Sequence, residues 1–249
     1  MGFVKLPALD EPFGLAQADC VETLALMDPE CVDLIITDPA YESLEEHRKR
    51  GTTTRLKQSK SSSNEWFPIF PNRRFVDLFA VMYRVLKKNT HLYMHCDQKT
   101  MFVVKPIAEA AGFKFWKPIV WDKVSIGMGY HYRARYEFVL FFEKGKRKIS
   151  DLSVPDVLEV AKIARGFPTE KPVGLERIFV EQSSRPGELI CDPFMGSSSV
   201  GEAAISRSRR FFGIDVTSKA LQVSQTRLER LLWTPPPTSA TCADSNPAT

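Results

Sequence analysis

The sequence has no long hydrophobic run. No apolar stretch of the 249-residue chain approaches the ~20 residues that a membrane-spanning helix requires. The N-terminal segment also lacks the basic-then-apolar pattern of a secretory signal. We therefore expect a protein of the cytoplasm that makes no use of a membrane.

Cysteine is scarce, scattered and odd in number, with five residues in the whole chain. No CxxC pair and no Cys/His cluster has the spacing of metal ligands, so no metal site is expected. Four of the five cysteines lie in or beside apolar runs, which predicts reduced, buried thiols. A formal net charge of +4 is mild, and it permits an anionic partner without proving one.

The composition is that of a globular protein, with 43% hydrophobic and 26% charged residues. The pattern predicts one α/β domain over residues 1–233, a short connector at residues 144–167 and a disordered tail at residues 234–249. A short strand and then a helix are expected between residues 14 and 27. Further strands are predicted at residues 32–37, 90–95, 113–121, 136–143, 188–191 and 211–214. The other predicted helices span residues 72–87, 101–111, 172–182, 200–205 and 217–232.

Three finer predictions belong to these elements. The strands at residues 113–121 and 136–143 are expected to pair antiparallel. Asn72 is a plausible N-cap for the helix that follows it. The helix at residues 101–111 has an internal proline, so it is expected to become regular only from Pro106.

Residues 32–41, VDLIITDPAY, are the most informative stretch. The apolar, β-branched run predicts a buried strand of a parallel sheet. Proline cannot continue a central strand, so the chain leaves the sheet at Asp38 and Pro39. Asp38 and Tyr41 are thus expected just past the carboxyl end of a strand, where open α/β sheets bind ligands. The alternative is an ordinary Asp-Pro turn with a half-exposed tyrosine.

Residues 188–215 form a second informative stretch. A strand, a small-residue turn at residues 192–199, a helix and a strand that ends at Asp215 follow the logic of a nucleoside-binding βαβ unit. The acid can accept hydrogen bonds from ribose hydroxyls, although a simple turn residue is the alternative. Since no GxGxxG motif is present, a dinucleotide is not required. Both Asp38 and Asp192 follow strands, so we expect them at the same edge of the sheet.

Residues 42–74 read as a long basic mobile loop that leaves directly from the Asp38 corner. A loop of this length inside a compact domain is usually functional or disordered. Its basic residues would suit a phosphate backbone, or they could simply be solvated. The loop between the two antiparallel strands also carries arginines beside aromatic residues. The candidate DNA contacts from both loops are Arg48, Lys49, Arg50, Arg55, Lys57, Arg133 and Arg135.

Three motifs together resemble a known family, the DNA amino-methyltransferases. Residues 38–41, DPAY, look like the family's DPPY motif, and residues 192–197, DPFMGS, look like its DPFxGSG methyl-donor motif. Residues 169–172, TEKP, resemble its TxKP element. The catalytic motif precedes the donor motif, which is the permuted order of the β group of N6-adenine/N4-cytosine methylases. The similarity covers about residues 19–232.

The resemblance implies a Rossmann-like S-adenosylmethionine-dependent methyltransferase fold. Its sheet would be mostly parallel and twisted, with an antiparallel edge hairpin and helices on both faces. S-adenosylmethionine would be the cofactor and DNA the partner, with a flipped-out base as the acceptor. Asp38, Pro39 and Tyr41 would be catalytic. The donor would be bound by Asp19, Cys20, Lys171, Asp192, Phe194, Gly196, Ser197 and Asp215.

The resemblance assigns a task to each of these groups. Asp38 and the Pro39 carbonyl would accept the N–H bonds of the acceptor amine, and Tyr41 would stack on the base. Asp215 would hold the donor ribose, and Lys171 would approach the methionine carboxylate. Asp19 and Cys20 would lie by the adenine, although the spacing of Asp19 to Glu22 by itself favours a helix cap.

Two positions depart from the family pattern, and several functional assignments stay open. Ala40 replaces a proline, and Ser198 replaces a glycine whose backbone could need a positive φ. Aspartate at position 38 favours adenine over cytosine N4. An RNA substrate or a catalytically silent DNA-binding subunit would also fit the sequence. The short connector leaves little room for a recognition region, which favours a short or relaxed target sequence. A homodimer is only a family-level expectation.

Overall fold

An eight-stranded sheet forms the centre of the structure. The computed structural model describes residues 5–43, 68–127, 131–163 and 169–232. Within these residues the strand order is β1-β8-β7-β2-β3-β5-β4-β6. The strands are β1 (Phe13–Gln17), β2 (Val32–Thr37), β3 (Leu86–Cys96), β4 (Lys114–Asp122), β5 (Tyr136–Lys144), β6 (Val157–Glu159), β7 (Leu189–Asp192) and β8 (Arg210–Asp215).

Helices cover both faces of this sheet. In the described part of the chain they are α1 (Cys20–Leu26), α2 (Phe75–Val85), α3 (Gln98–Ala110), α4 (Val173–Ser183), α5 (Ser199–Ile205) and α6 (Ser218–Leu232). None of these helices is both long and apolar enough to cross a bilayer.

Strand direction decides where the strand ends meet. β5 runs antiparallel to its neighbours β3 and β4, and the other strand pairs are parallel. β2 lies between β7 and β3, and all six of its residues are buried. The carboxyl ends of the parallel strands therefore lie at one edge of the sheet. The predicted mixed α/β fold with a mostly parallel sheet is confirmed.

The alternation of side chains along β2 separates two hydrophobic cores. Ile35 belongs to the core on the face covered by α1, α2 and α3. Leu34 and Ile36 belong to the core on the opposite face, which is covered by α4, α5 and α6. A strand buried on both faces reads as a continuous apolar run, which is why residues 32–37 could be recognised in the sequence.

Several local predictions were wrong. α2 begins at Phe75 after a 3₁₀ turn (Asn72–Arg74), and the side chain of Asn72 caps neither element. α3 starts at Gln98, where Asp97 caps it, so Pro106 lies inside the helix rather than at its regular start.

The predicted connector and loop also need correction. The connector contains β6, which pairs parallel with β4 and forms the sheet edge. The hairpin of β4 and β5 exists as predicted, but it is one strand in from that edge. Of the proposed loop at residues 42–74, the stretch from position 68 is ordered: Phe70 donates its N–H to the Ala40 carbonyl at 2.8 Å. Residues 44–67 and the tail at residues 234–249 lie outside the described residues.

Two helical glycines provide a test of packing. A Cβ at Gly201 in α5 would lie 2.7 Å from Phe211 and 3.2 Å from Leu228, whereas a Cβ at Gly174 in α4 would meet nothing within 4 Å. We expect Gly201→Ala to lower the free energy of unfolding by about 1–3 kcal/mol because it overpacks the core. Gly174→Ala should raise it by about 0.5–1 kcal/mol through helix propensity. Urea denaturation of both variants measures this, and equal effects would contradict the packing.

Candidate active site

A cavity of about 1060 Å³ opens at the edge where the parallel strands end. Every described residue that the sequence predicted as catalytic or cofactor-binding lines it. These residues are Asp19, Cys20, Asp38, Pro39, Tyr41, Lys171, Asp192, Phe194, Gly196, Ser197 and Asp215. The fold thus brings both informative stretches of the sequence into one cavity, as their positions after parallel strands predicted.

Asp38 lies immediately beyond β2 and is held on both carboxylate oxygens. The Tyr41 hydroxyl donates to Oδ1 at 2.6 Å, and the Lys171 ammonium donates to Oδ2. The Asp38 side chain is 25% exposed, so its free edge faces the cavity. Tyr41 is buried and forms a β-bridge with Phe70. The predicted half-exposed tyrosine of a simple turn is therefore not what the structure contains.

The charge of Asp38 follows from these neighbours. Burial acts to raise the pKa of the Asp38 carboxyl. The charges of Lys171 and His95, with hydrogen bonds from Lys171 and Tyr41, outweigh burial and hold that pKa below its usual range. Burial and the Asp38 charge raise the pKa of the Tyr41 hydroxyl well above its ordinary value. Asp38 is therefore an anion at neutral pH, and Tyr41 remains a donor to it.

Lys171 lies between two carboxylates. Its ammonium contacts Asp38 and lies 3.8 Å from Oε2 of Glu137, the second residue of β5. Burial acts to lower the pKa of Lys171, but the charges of Asp38 and Glu137 raise it overall. The sequence placed Lys171 near the carboxylate of a donor, and that role stays a prediction. In the structure its charge is directed at Asp38.

A buried histidine and a buried glutamate lie on the floor of the cavity. Nε2 of His95 in β3 is 3.0 Å from Oε1 of Glu176 in α4, and both side chains are almost fully buried. Burial acts to lower the pKa of His95, but the Glu176 charge raises it overall. No ring nitrogen of His95 and no carboxyl oxygen of Glu176 has an aligned hydrogen-bond partner among the described residues. The pair thus places a histidine whose pKa is raised, together with the carboxyl group that raises it, in the same cavity as Asp38.

Asp192 ends β7 and behaves differently from Asp38. Its Oδ1 accepts from the Thr37 hydroxyl at 3.1 Å and from the Phe194 N–H at 3.0 Å. Burial, with the charges of Glu176 and Asp38, raises its pKa to about 8 despite these two bonds. Asp192 is therefore largely neutral at pH 7 in the free protein, and a cationic ligand would favour its ionised form.

Asp215 ends β8 and organises the turn after β7. Its Oδ2 accepts from the Gly196 N–H at 3.2 Å, and its Oδ1 accepts from the N–H and hydroxyl of Thr217, both at 2.8 Å. The Met195 N–H also donates to the Ile214 carbonyl at 3.0 Å. The small-residue turn is thereby fastened against the end of β8, where its backbone lines the cavity.

Ser198 replaces a glycine of the family motif, and its backbone adopts the left-handed conformation with a positive φ. Its φ is 58° and its ψ is 42°, immediately before α5 begins. The residue is fully buried, and its hydroxyl has no hydrogen-bond partner among the described residues. A non-glycine residue in this conformation is strained. The departure from the family pattern therefore has a structural cost.

Asp19 caps α1, as its spacing predicted. Its side chain accepts from the Val21 N–H at 3.0 Å and from the Glu22 N–H at 3.2 Å. Its carboxylate also accepts hydrogen bonds from the two terminal guanidinium nitrogens of Arg74, at 2.7 and 2.8 Å. A contact of Asp19 with a donor adenine stays a prediction, as it does for the buried Cys20.

Arg74 and Phe70 complete this wall of the cavity, and the sequence did not single them out. The Arg74 guanidinium lies 5.2 Å from the centre of the Phe70 ring. Phe70 in turn packs edge-on against Phe194 with ring centres 5.1 Å apart. The sequence signal for both residues was their position at the end of the predicted basic loop, where the predicted helix begins, and this is too general to assign a role.

The predicted DNA contacts divide into two groups. Arg48, Lys49, Arg50, Arg55 and Lys57 lie outside the described residues. Arg133 and Arg135 are exposed in the β4–β5 connection, at the same edge as the cavity. Arg133 donates to the Gly127 carbonyl at 2.8 Å, and Arg135 pairs with Asp122 at 2.6 Å. Both arginines remain predictions as DNA contacts, and Arg135 would share its charge with Asp122.

The described part of the chain contains no group of three or more His, Cys, Asp or Glu side chains arranged to hold a metal ion. The four described cysteines are unpaired, and three of them are buried.

Comparison with known proteins gives consistent matches. A family model described as DNA methylase matches residues 32–226. The relative YubD of Escherichia coli (strain K12), which is named a methylase, is 30% identical over 213 residues. That alignment covers 85% of this chain and 88% of YubD.

Two solved structures share the fold. The M1.HpyAVI–SAM complex superposes with a TM-score of 0.64 at 21% identity, covering 87% of this chain and 99% of that chain. The cytosine-N4-specific PvuII DNA methyltransferase gives a TM-score of 0.67 at 16% identity, covering 91% and 90%. At these identities the likeness concerns the architecture of the sheet and its helices.

The raised pKa of Asp192 makes stability depend on pH. Its folded pKa of about 8 exceeds the unfolded value near 3.8, so the stabilisation from the neutral form is lost as pH rises between these values. We expect the free energy of unfolding to fall by on the order of 1 kcal/mol per pH unit between pH 6 and 8. Asp192→Asn, which keeps an acceptor oxygen, should reduce this slope. Urea denaturation at pH 6, 7 and 8 checks it, and equal slopes in both proteins would contradict it.

The strain at Ser198 predicts a stabilising substitution. Ser198→Gly should raise the free energy of unfolding by about 0.5–1 kcal/mol, because relief of the left-handed strain exceeds the added freedom of the unfolded chain. Ser198→Ala keeps the strain and serves as the control for removal of the hydroxyl. Thermal and urea denaturation of the two variants distinguish these effects. A glycine variant less stable than the alanine variant would show that the backbone is not strained there.

Proposed function

Because the chain belongs to the N6-adenine/N4-cytosine DNA methylase family, we propose that it methylates the exocyclic amine of a flipped-out adenine in DNA. S-adenosylmethionine is the methyl donor. The observation that carries the proposal is the anionic Asp38, which shares one cavity with the turn between β7 and α5. An acceptor group and a donor pocket within one cavity are what a direct transfer between two bound molecules requires.

The donor occupies the side of the cavity formed by the ends of β7, β8 and β1. Asp215 accepts hydrogen bonds from its ribose hydroxyls, and Phe194, Gly196 and Ser197 line its pocket. Asp19 and Cys20 lie by the adenine, and Asp192 faces the cationic methionine end. This placement is supported by the way Asp215 fastens the turn at Gly196. It is also consistent with an Asp192 that gains charge when a cation binds.

The acceptor amine lies against Asp38 and Pro39. An exocyclic nitrogen is a poor nucleophile because its lone pair is delocalised into the ring. The Asp38 carboxylate and the Pro39 carbonyl accept its two N–H bonds, which draws the nitrogen towards tetrahedral geometry and frees the lone pair. Hydrogen bonds to an ionised carboxylate are stronger than those to neutral acceptors.

The transfer is an in-line displacement. The nitrogen lone pair forms the new N–C bond while the C–S bond breaks and its electrons return to sulfur. The nitrogen then loses one proton, first to the hydrogen-bonded Asp38 and finally to water. Tyr41, whose hydroxyl is already bonded to Asp38, presents its ring to the flipped base, a contact worth about 1–3 kcal/mol.

Adenine is favoured over cytosine by the aspartate at position 38. Cytosine N4 is the second candidate, since PvuII methyltransferase, with that specificity, shares the fold. A silent DNA-binding subunit fits less well, because it has no need of an anionic Asp38 within a formed cavity. An RNA substrate is a further alternative. The order of the motifs, Asp38 before Asp192, supports the permuted β group.

Basic residues of two segments make the DNA contacts. Arg133 and Arg135 lie in the β4–β5 connection, and Arg48, Lys49, Arg50, Arg55 and Lys57 contribute from the sequence between β2 and α2. The connector holds only the short strand β6 and no large recognition segment among its described residues, which supports a short or relaxed target sequence. A homodimer in the cytoplasm remains the expected form.

Removal of the Asp38 charge tests the proposal. Asp38→Asn should lower methyl transfer about 100-fold or more, because a neutral amide accepts the amine protons more weakly. The affinity for S-adenosylmethionine should change by less than about threefold. Tritium transfer to unmethylated DNA measures the first effect, and isothermal titration calorimetry measures the second.

Asp151→Asn is the matched control, since this carboxylate does not line the cavity and accepts its hydrogen bonds from Ser153 within its own turn. It should transfer methyl groups at the unmodified rate. Full activity in Asp38→Asn would show that another group holds the acceptor amine.

A further inference from the structure

Lys171 is held at a point where it can act on Asp38. Its ammonium donates to Asp38 Oδ2, its side chain is 12% exposed, and Oε2 of Glu137 lies 3.8 Å away. A buried lysine that faces two carboxylates has its charge neutralised by the protein itself. The same ammonium is therefore poorly placed to serve mainly as the ligand of a third, external carboxylate.

We propose that Lys171 is a positioning residue for Asp38, which it holds ionised and correctly aimed at the acceptor amine, and that it does not bind the carboxylate of the methyl donor. The inference rests on the proposed function, in which Asp38 accepts the amine protons. It reassigns Lys171 from the donor side of the cavity to the acceptor side.

The geometry around Asp38 supports this role. Tyr41 fixes Oδ1 from one side and Lys171 fixes Oδ2 from the other, so the carboxylate plane cannot rotate freely. Each oxygen accepts only one of these bonds and retains a lone pair for an incoming N–H. A carboxylate fixed at both ends presents its remaining acceptor positions in one direction, which is the condition for orienting an amine.

The backbone on either side of Lys171 is connected to the turn at residues 192–199, which lines the proposed donor pocket. The preceding residue, Glu170, pairs with Arg227 of α6 at 2.7 Å, and Pro172 directly precedes α4 as its N-cap residue. Arg227 also donates to the Ser197 carbonyl at 2.9 Å. The backbone on either side of Lys171 is thus fixed, and the same arginine joins it to the turn that lines the donor pocket.

The other charges around Asp38 cannot replace Lys171. His95 supplies positive charge from β3, but Glu176 of α4 faces that histidine at 3.0 Å. Lys123 pairs with Glu137 at 2.9 Å rather than with Asp38. Loss of Lys171 would therefore leave Asp38 beside several carboxyl groups with reduced compensation. These groups are Glu137 on β5, Glu176 on α4 and Asp192 at the end of β7.

The test compares Lys171→Met with Lys117→Met, which removes a lysine that pairs with Asp156 outside this cavity. For Lys171→Met we expect kcat to fall about 100-fold at pH 6.5, since a misoriented carboxylate loses alignment with the amine. The dissociation constant for S-adenosylmethionine should change less than about threefold. Lys117→Met should keep kcat within about threefold of the unmodified protein.

A pH profile separates positioning from a general structural defect. Without Lys171 the Asp38 carboxyl loses its main source of positive charge, so the acid limb of kcat should move to higher pH in Lys171→Met and stay in place in Lys117→Met. A carbon-13 titration of the Asp38 carboxyl by NMR reports the same shift without any activity. Lys171→Gln replaces the methionine variant if the latter does not fold.

Two results would overturn the inference. One is a donor dissociation constant raised more than about tenfold with kcat unchanged, which would return Lys171 to the donor carboxylate. The other is an Asp38 titration that is identical with and without Lys171. If the unmodified protein transfers no methyl group, the proposed function fails, and the NMR titration still decides whether Lys171 controls Asp38.

Discussion

The pairing of β2 with β7 is the constraint on which the site depends. Ile35 lies opposite Cys191 in a parallel register, so both strands deliver their last residues to the same edge of the sheet. Asp38 and Asp192 are far apart in sequence, yet they line one cavity because of this pairing. The hydrogen bond from Thr37 to Asp192 at 3.1 Å joins the two strand ends directly. If the register of β2 against β7 shifted by one residue, the side chain of Asp38 or of Asp192 would point to the opposite face of the sheet.

Two aspartates at neighbouring strand ends differ in charge within this cavity, since one is ionised and the other is largely neutral. Asp38 stays ionised because a lysine, a histidine and a tyrosine hydroxyl face it, which lowers its pKa. Among the described residues Asp192 accepts hydrogen bonds from a hydroxyl and a backbone N–H, and burial raises its pKa to about 8, which keeps it largely neutral. The contrast suits a site in which one ionised acid accepts protons from an amine and the other becomes ionised when a cationic ligand binds. Environment, rather than residue type, thus separates the two roles.

The parts of the site that depend on short, continuous stretches of the chain could be predicted from the sequence. An apolar β-branched run followed by Asp-Pro marks a strand end, and a parallel sheet places such ends together, so Asp38 and Asp192 could be expected at one edge. Other cavity-lining residues were named from the family resemblance, and they include Asp19, Cys20, Lys171, Phe194, Gly196 and Ser197. Interactions between distant segments could not be predicted in this way. No spacing rule connects Lys171 to Asp38, Arg74 to Asp19 or His95 to Glu176. The predictions for Asn72 and for the connector that holds β6 failed for a related reason, since tertiary contacts decide helix starts and very short edge strands.

Methylation of unmethylated DNA with isotope-labelled S-adenosylmethionine, followed by digestion and mass spectrometry of the nucleosides, is the most direct test of this cavity's role. We expect labelled N6-methyladenine, which would identify the donor, the reaction and the base together. Labelled N4-methylcytosine would keep the fold and the chemistry at Asp38 but contradict the base assignment. The absence of any label from folded protein that binds the donor would contradict the central claim that this cavity methylates DNA.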